Sequence, residues 1–137
     1  MTKKILCAVD GTEHSKRAIE TAAEMAKALD SGLVLLVVDQ VTFDGRSAPV
    51  HKLGVEEAKT ILDAANGVAA SVGFVNSGLA AVAGRDVARA ILNYAEEHAV
   101  DHIVVGTGDK GVATRLVVGS VSHDLVVRAH CSVTVAR

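Results

Sequence analysis

Aromatic residues are almost missing from this chain of 137 residues: Phe43, Phe74 and Tyr94 make up the whole set, and tryptophan is absent. Single-stranded nucleic acid binding by base stacking needs a platform of exposed rings, so that class is excluded. The net charge of −2 leaves no basic footprint for duplex DNA or an anionic membrane surface. Cysteine is as scarce. Cys7 lies inside an apolar run and Cys131 just before another, and neither has CxxC or Cys/His spacing. Both read as reduced thiols acting as small hydrophobes. Pro49 is the single proline, and no apolar stretch approaches transmembrane length. Met1-Thr2-Lys3-Lys4 leads straight into an apolar run too short for a signal-peptide core, so a cytoplasmic location is expected.

What the chain does have is aliphatic residues: half of it is hydrophobic, almost entirely Val, Leu, Ile and Ala. That is the filling of a parallel sheet covered by helices, and the length suits one domain over residues 1–137. The pattern alternates. Ile5–Val9 is a continuous apolar run ended by Asp10-Gly11, and Thr12 offers a cap for a helix carrying Ala18, Ala22, Met25, Ala26 and Leu29 on one face. Asp30-Ser31-Gly32 stops that helix, and Leu33–Val38 forms a second buried strand. Asp39 to Lys52 is polar and reads as a loop, followed by a helix over Val55–Val72. Phe74–Val82 is a third strand interrupted by Asn76-Ser77-Gly78, and Gly84-Arg85-Asp86 opens an amphipathic third helix. Ile103–Val105, a glycine-rich loop, a last helix and the strand Ser132–Ala136 complete the series. Five strands separated by four helices predict an α/β fold with an open, doubly wound parallel sheet.

Such sheets bind ligands beyond the carboxyl ends of their strands, at the point where strand order reverses. Three segments fall there: Asp10-Gly11, Val37-Val38-Asp39, and Gly106 onward. The last is the most informative. Gly106-Thr107-Gly108-Asp109-Lys110-Gly111 follows a strand, and Gly119-Ser120-Val121-Ser122 opens a helix. Amides of a glycine-rich turn and the positive end of a helix dipole can converge on an anion, which makes this a candidate phosphate site. Several of its residues have two readings. Asp10 is either a carboxylate for a ligand's hydroxyl or amino group, or the first residue of an Asp-Gly turn. Ser120 and Ser122 either cap the helix or present hydroxyls to phosphate. Lys110 and Arg115 face either phosphate or solvent.

Other chemistry finds no motif. The histidines 14, 51, 98, 102, 123 and 130 show no metal spacing, so no metal site is expected. There is no Gly-x-Ser-x-Gly elbow, no Walker sequence, and no Gly-x-Gly-x-x-Gly after the first strand. A response regulator would need clustered acids beside Asp10 and an acceptor Asp after the third strand, where Gly11-Thr12 and Ala83-Gly84 stand instead. An adenylating enzyme would want a Ser-Gly-Gly loop in place of Asp10-Gly11-Thr12.

These residues together resemble the universal stress protein family. Its hallmark is Gly-x2-Gly-x9-Gly-[Ser/Thr] between the fourth strand and the last helix, and here that register runs from Gly106 through Asp109 to Gly119-Ser120. The Ala8-Val9-Asp10-Gly11-Thr12 exit, the Tyr94-Ala95-Glu96-Glu97 helix entering Val100–Gly106, and the ending His130-Cys131-Ser132-Val133-Thr134-Val135 match as well, so the resemblance spans the chain. It implies a Rossmann-like fold of the adenine-nucleotide α-hydrolase-like kind and an ATP-binding regulatory or stress-response module. Asp10 and the backbone at Val37 and Val105 would surround the adenosine. Gly106, Gly108, Asp109, Gly119, Ser120, Val121 and Ser122 would hold ribose and phosphates. Asp109 replaces the second motif glycine; its carboxylate repels a triphosphate unless Mg²⁺ bridges them or Gly108 shifts the loop. No catalytic residue is assigned, because no general base or nucleophile is positioned near the presumed phosphates, and any hydrolysis is expected to be slow. The resemblance also implies a homodimer paired through the last strand. The alternative is a member of the family that has lost nucleotide binding and acts through dimerisation and protein partners.

Overall fold

Apolar runs of β-branched and leucine residues form the strands, and alanine-rich amphipathic stretches form the helices between them. In the computed structural model, which describes residues 3–43, 45, 48–107 and 119–137, these are β1 (Lys4–Val9), α1 (Glu13–Leu29), β2 (Gly32–Thr42), β3 (Val50–His51), α2 (Gly54–Ser71), β4 (Gly78–Gly84), α3 (Val87–Glu97), β5 (His102–Gly106), α4 (Ser120–Arg128) and β6 (Ser132–Ala136). The five main strands are parallel and run β4-β2-β1-β5-β6 across the sheet. Strand order therefore reverses between β1 and β5, the crevice position of an open α/β sheet. Alternate side chains of each strand build two cores. Ile5, Cys7, Leu33, Leu35, Val37 and Val104 pack under α1 and α2; Leu6, Leu36, Ile103 and Val105 pack under α3 and α4. No helix among the described residues is long and apolar enough to cross a membrane.

The sheet has a sixth strand that periodicity does not reveal. β2 continues past Val38 to Thr42, and β3 returns antiparallel, with Val41 opposite His51 and Thr42 opposite Val50. Asp39, expected in a loop, is thus in the sheet and only 8% exposed. Its burial is tolerated because its carboxylate is satisfied. Oδ1 accepts from the Leu53 amide at 2.9 Å, and Oδ2 from the Gly54 amide at 3.2 Å and meets His51 Nδ1 at 2.8 Å. Leu53, the N-cap of α2, makes no side-chain cap itself, so a carboxylate from another strand takes that role.

Boundaries elsewhere shift for local reasons. Residues 72–74 wrap the end of α2, Gly73 at φ +95° and the Phe74 amide donating to Ala69 O, so β4 begins at Gly78 instead of Phe74. Gly84 closes β4, and Asp86 caps α3 by accepting from the Arg89 amide. Thr12 caps α1 as expected, and Asp30 ends it in the left-handed conformation.

Gly106 is constrained by packing. A Cβ at this position would stand 2.6 Å from the carbonyl oxygen of His14 and 2.9 Å from its carbonyl carbon. The obstacle is backbone in the first turn of α1, so a side chain fits only if the helix moves.

Two stability predictions follow from these contacts. Gly106→Ala is expected to lower unfolding free energy in urea by about 1–3 kcal/mol, the cost of overpacking; an unchanged midpoint would show that α1 yields freely. Asp39 is held below the ordinary carboxylate value of 3.8, first by the Leu53 amide, against burial, with the His51 and Gly54 hydrogen bonds adding to it. A depressed carboxylate contributes stability above its unfolded value and loses it as acid protonates the fold. Asp39→Asn should therefore cost about 1–3 kcal/mol at neutral pH. The gap from the native protein should close as pH falls below 3.8, as read from urea unfolding at several pH values.

Candidate functional site

The carboxyl ends of β1, β2 and β5 open on a cavity of about 330 Å³ at the reversal point of the sheet. Ala8, Val9 and Asp10 line it from β1, Leu36, Val38 and Gln40 from β2, and Val105, Gly106 and Thr107 from β5. His14 and Ser15 come from the start of α1, Lys52 and Leu53 from the turn before α2, and Val87 and Ile91 from α3. Gly119, Ser120, Val121 and Ser122 bring the N-terminus of α4 to the same wall. One part of the wall is aliphatic and another is polar, which suits a ligand with a flat apolar portion and a charged one.

Of the residues singled out by sequence, Asp10, Val105, Gly106, Gly119, Ser120, Val121 and Ser122 converge on this cavity. Val37 is not in its wall: the side chain points into the core under α1 and α2, while Leu36 and Val38 on the alternate face line the cavity. Gly108, Asp109, Lys110 and Arg115 lie outside the described residues.

At Asp10 the turn is real. Its Oδ1 accepts from the Thr12 amide at 2.9 Å and the Thr12 hydroxyl at 2.7 Å. The Asp10 amide donates to Ser15 Oγ, and the Ser15 amide to Thr12 Oγ1, so three polar side chains lock the β1 exit to the first turn of α1.

Neither serine caps α4. Its N-cap is Gly119, with φ −61° and ψ 159°, and among the described residues no side-chain hydrogen bond closes that end. Gly119 therefore needs no left-handed freedom. Ser122 is buried, and its hydroxyl donates to the Gly106 carbonyl at 2.7 Å. That hydrogen bond pins α4 to β5, and Ser122 still lies in the cavity wall. Ser120 is exposed at the first helical position.

Sequence reasoning missed His14, Gln40 and Lys52 as cavity residues. His14 was within reach of the pattern, in the first turn of the helix that follows the β1 exit. Gln40 and Lys52 were not, because both sit in the stretch read as a loop; they are joined by the Lys52 amide donating to Gln40 O, and Gln40 Nε2 donates to Arg85 O. Cys7, one layer below the cavity floor, is fully buried, and burial followed by the charge of Asp10 pushes its thiol far above the usual thiol range. It is a core residue, not a nucleophile.

The universal stress protein family model matches residues 1–137. A universal stress protein of Thermus aquaticus is 33% identical over 141 residues, with 100% of both chains covered. A solved universal stress protein in complex with cAMP superposes with a TM-score of 0.78 at 25% identity, covering 98% of this chain and 97% of that one. A universal stress protein from Archaeoglobus fulgidus reaches a TM-score of 0.81 at 22% identity over the full length of both chains, a likeness of fold. By its whole-length match and by a sheet that follows the same architecture, the chain belongs to the universal stress protein family.

Proposed function

We propose that the cavity binds an adenine nucleotide, with ATP and its accompanying Mg²⁺ as the ligand, and that the protein is a nucleotide-responsive regulatory module with at most slow hydrolysis. The observation that carries this reading is the N-terminus of α4 in the cavity wall. Among the described residues no side chain caps its leading amides, and they and the helix dipole favour an anion there. Beside them, Leu36, Val38, Val87 and Ile91 offer apolar surface to a base. The cAMP complex of a relative in fold and sequence supports the ligand class.

In this reading Asp10 turns its second carboxylate oxygen to the adenosine, since Oδ1 is taken by Thr12. Val37 and Val105 contribute backbone. Gly106, Gly108, Asp109, Gly119, Ser120, Val121 and Ser122 surround ribose and phosphates. Among the described residues no group of three or more His, Cys, Asp or Glu could hold a metal ion, and Asp10 is the one carboxylate in the cavity wall. Mg²⁺ would therefore be carried chiefly by phosphate oxygens, where it offsets the charge that Asp109 brings to the loop.

We also propose a homodimer through β6. That strand pairs only with β5 among the described strands, and Val126 and Val127 on the neighbouring α4 are 55% and 66% exposed. An edge with apolar residues beside it is suited to pairing with a second copy.

Calorimetric titration tests the ligand. ATP is expected to bind the native protein, and Gly119→Val to abolish binding while far-ultraviolet circular dichroism is retained, because the branched side chain occupies the place of the phosphate. Undiminished ATP affinity in that folded variant would remove the α4 N-terminus from the site. Sedimentation at micromolar concentration should give a dimer; a monomer would remove the β6 interface.

A further inference from the structure

We propose that His14 is the side chain that contacts the phosphate of the bound nucleotide, alongside the α4 amides. The inference rests on the adenine-nucleotide reading above and names a residue that the family motif does not include.

Three elements meet at Gly106. The His14 carbonyl and Cβ lie 2.6 Å and 3.4 Å from where a Cβ on Gly106 would stand, so α1 touches the end of β5 backbone to backbone. In the first turn of α4, Ser122 donates to the Gly106 carbonyl at 2.7 Å. His14 thus starts from a point fixed beside the beginning of α4, and it lines the same cavity as Ser120. The network of Asp10, Thr12 and Ser15 holds the turn that carries it.

Charge points the same way. Asp10, His14 and Lys52 are the ionisable groups in the cavity wall among the described residues; β5, α3 and α4 bring none. Lys52 is tied to β2, on one side of β1, whereas His14 packs on β5, on the other. Glu13 and Lys16, also on α1, line a separate groove against α2. Among the described residues His14 is therefore the ionisable group in the cavity wall on the side of β5 and α4. A neutral imidazole offers one N–H donor, and a protonated one offers two and a full charge, which makes a charge-assisted hydrogen bond to phosphate.

The test compares cAMP with adenosine, using the native protein, His14→Gln and His14→Lys, by calorimetric titration. His14→Gln should weaken cAMP about tenfold, which corresponds to about 1.4 kcal/mol, and leave adenosine unchanged. His14→Lys, which keeps a cationic donor, should restore cAMP affinity. Equal losses for cAMP and adenosine in His14→Gln would reduce His14 to a structural residue, and no loss for either would take it out of the site. Failure of the native protein to bind any of cAMP, adenosine and ATP would instead overturn the nucleotide reading, and the role of His14 with it.

Discussion

At Gly106 the end of β5 and the first turn of α1 touch with no room for a side chain. That contact sets the geometry of everything above the carboxyl edge of the sheet. It brings His14 and Ser15 to the cavity wall, and the Gly106 carbonyl then receives the Ser122 hydroxyl and draws in α4. Two helices on opposite faces of the sheet are thereby indexed to one backbone position. A parallel sheet needs such an anchor, because its crossovers leave helix starts to be placed by packing at strand ends.

A second anchor works on the other side of β1. Asp39 leaves β2 to take the Leu53 and Gly54 amides at the start of α2, with His51 from β3 closing the arrangement. A buried carboxylate is costly unless its lone pairs are filled, and here three partners fill them. The result holds β3 and Lys52 next to the cavity, so an element that looks peripheral helps to shape the wall on the β2 side.

The two ends of the cavity differ in how they treat hydrogen bonds. On the β1 side, Asp10, Thr12 and Ser15 satisfy one another and leave a rigid turn. At α4 the N-cap is a glycine, and among the described residues the leading amides receive no side-chain cap. Amides left open at a helix start favour an anion.

Much of this was legible in the sequence because it depends on local patterns. Continuous apolar runs, the Thr12 cap, the Asp30 stop and the glycine-flanked segment before the last helix determined the parallel α/β sheet, the helix positions and the cluster at Asp10, Gly106 and Gly119–Ser122. What the tertiary structure decided concerns partners far apart in the chain. Asp39 reads as a loop residue until its amide partners fourteen and fifteen positions on are in place. The extension of β2 and the existence of β3 come from pairing across that same turn, not from apolar period. That Ser122 donates to Gly106, sixteen residues away, is not visible in the local pattern. Val37 and Val38 are indistinguishable by composition, and only the pleat of β2 sends one to the core and the other to the cavity. Local sequence marks most of the elements; where β2 ends, that β3 exists and which group a residue faces depend on contacts that form only when strands and helices from distant parts of the chain come together.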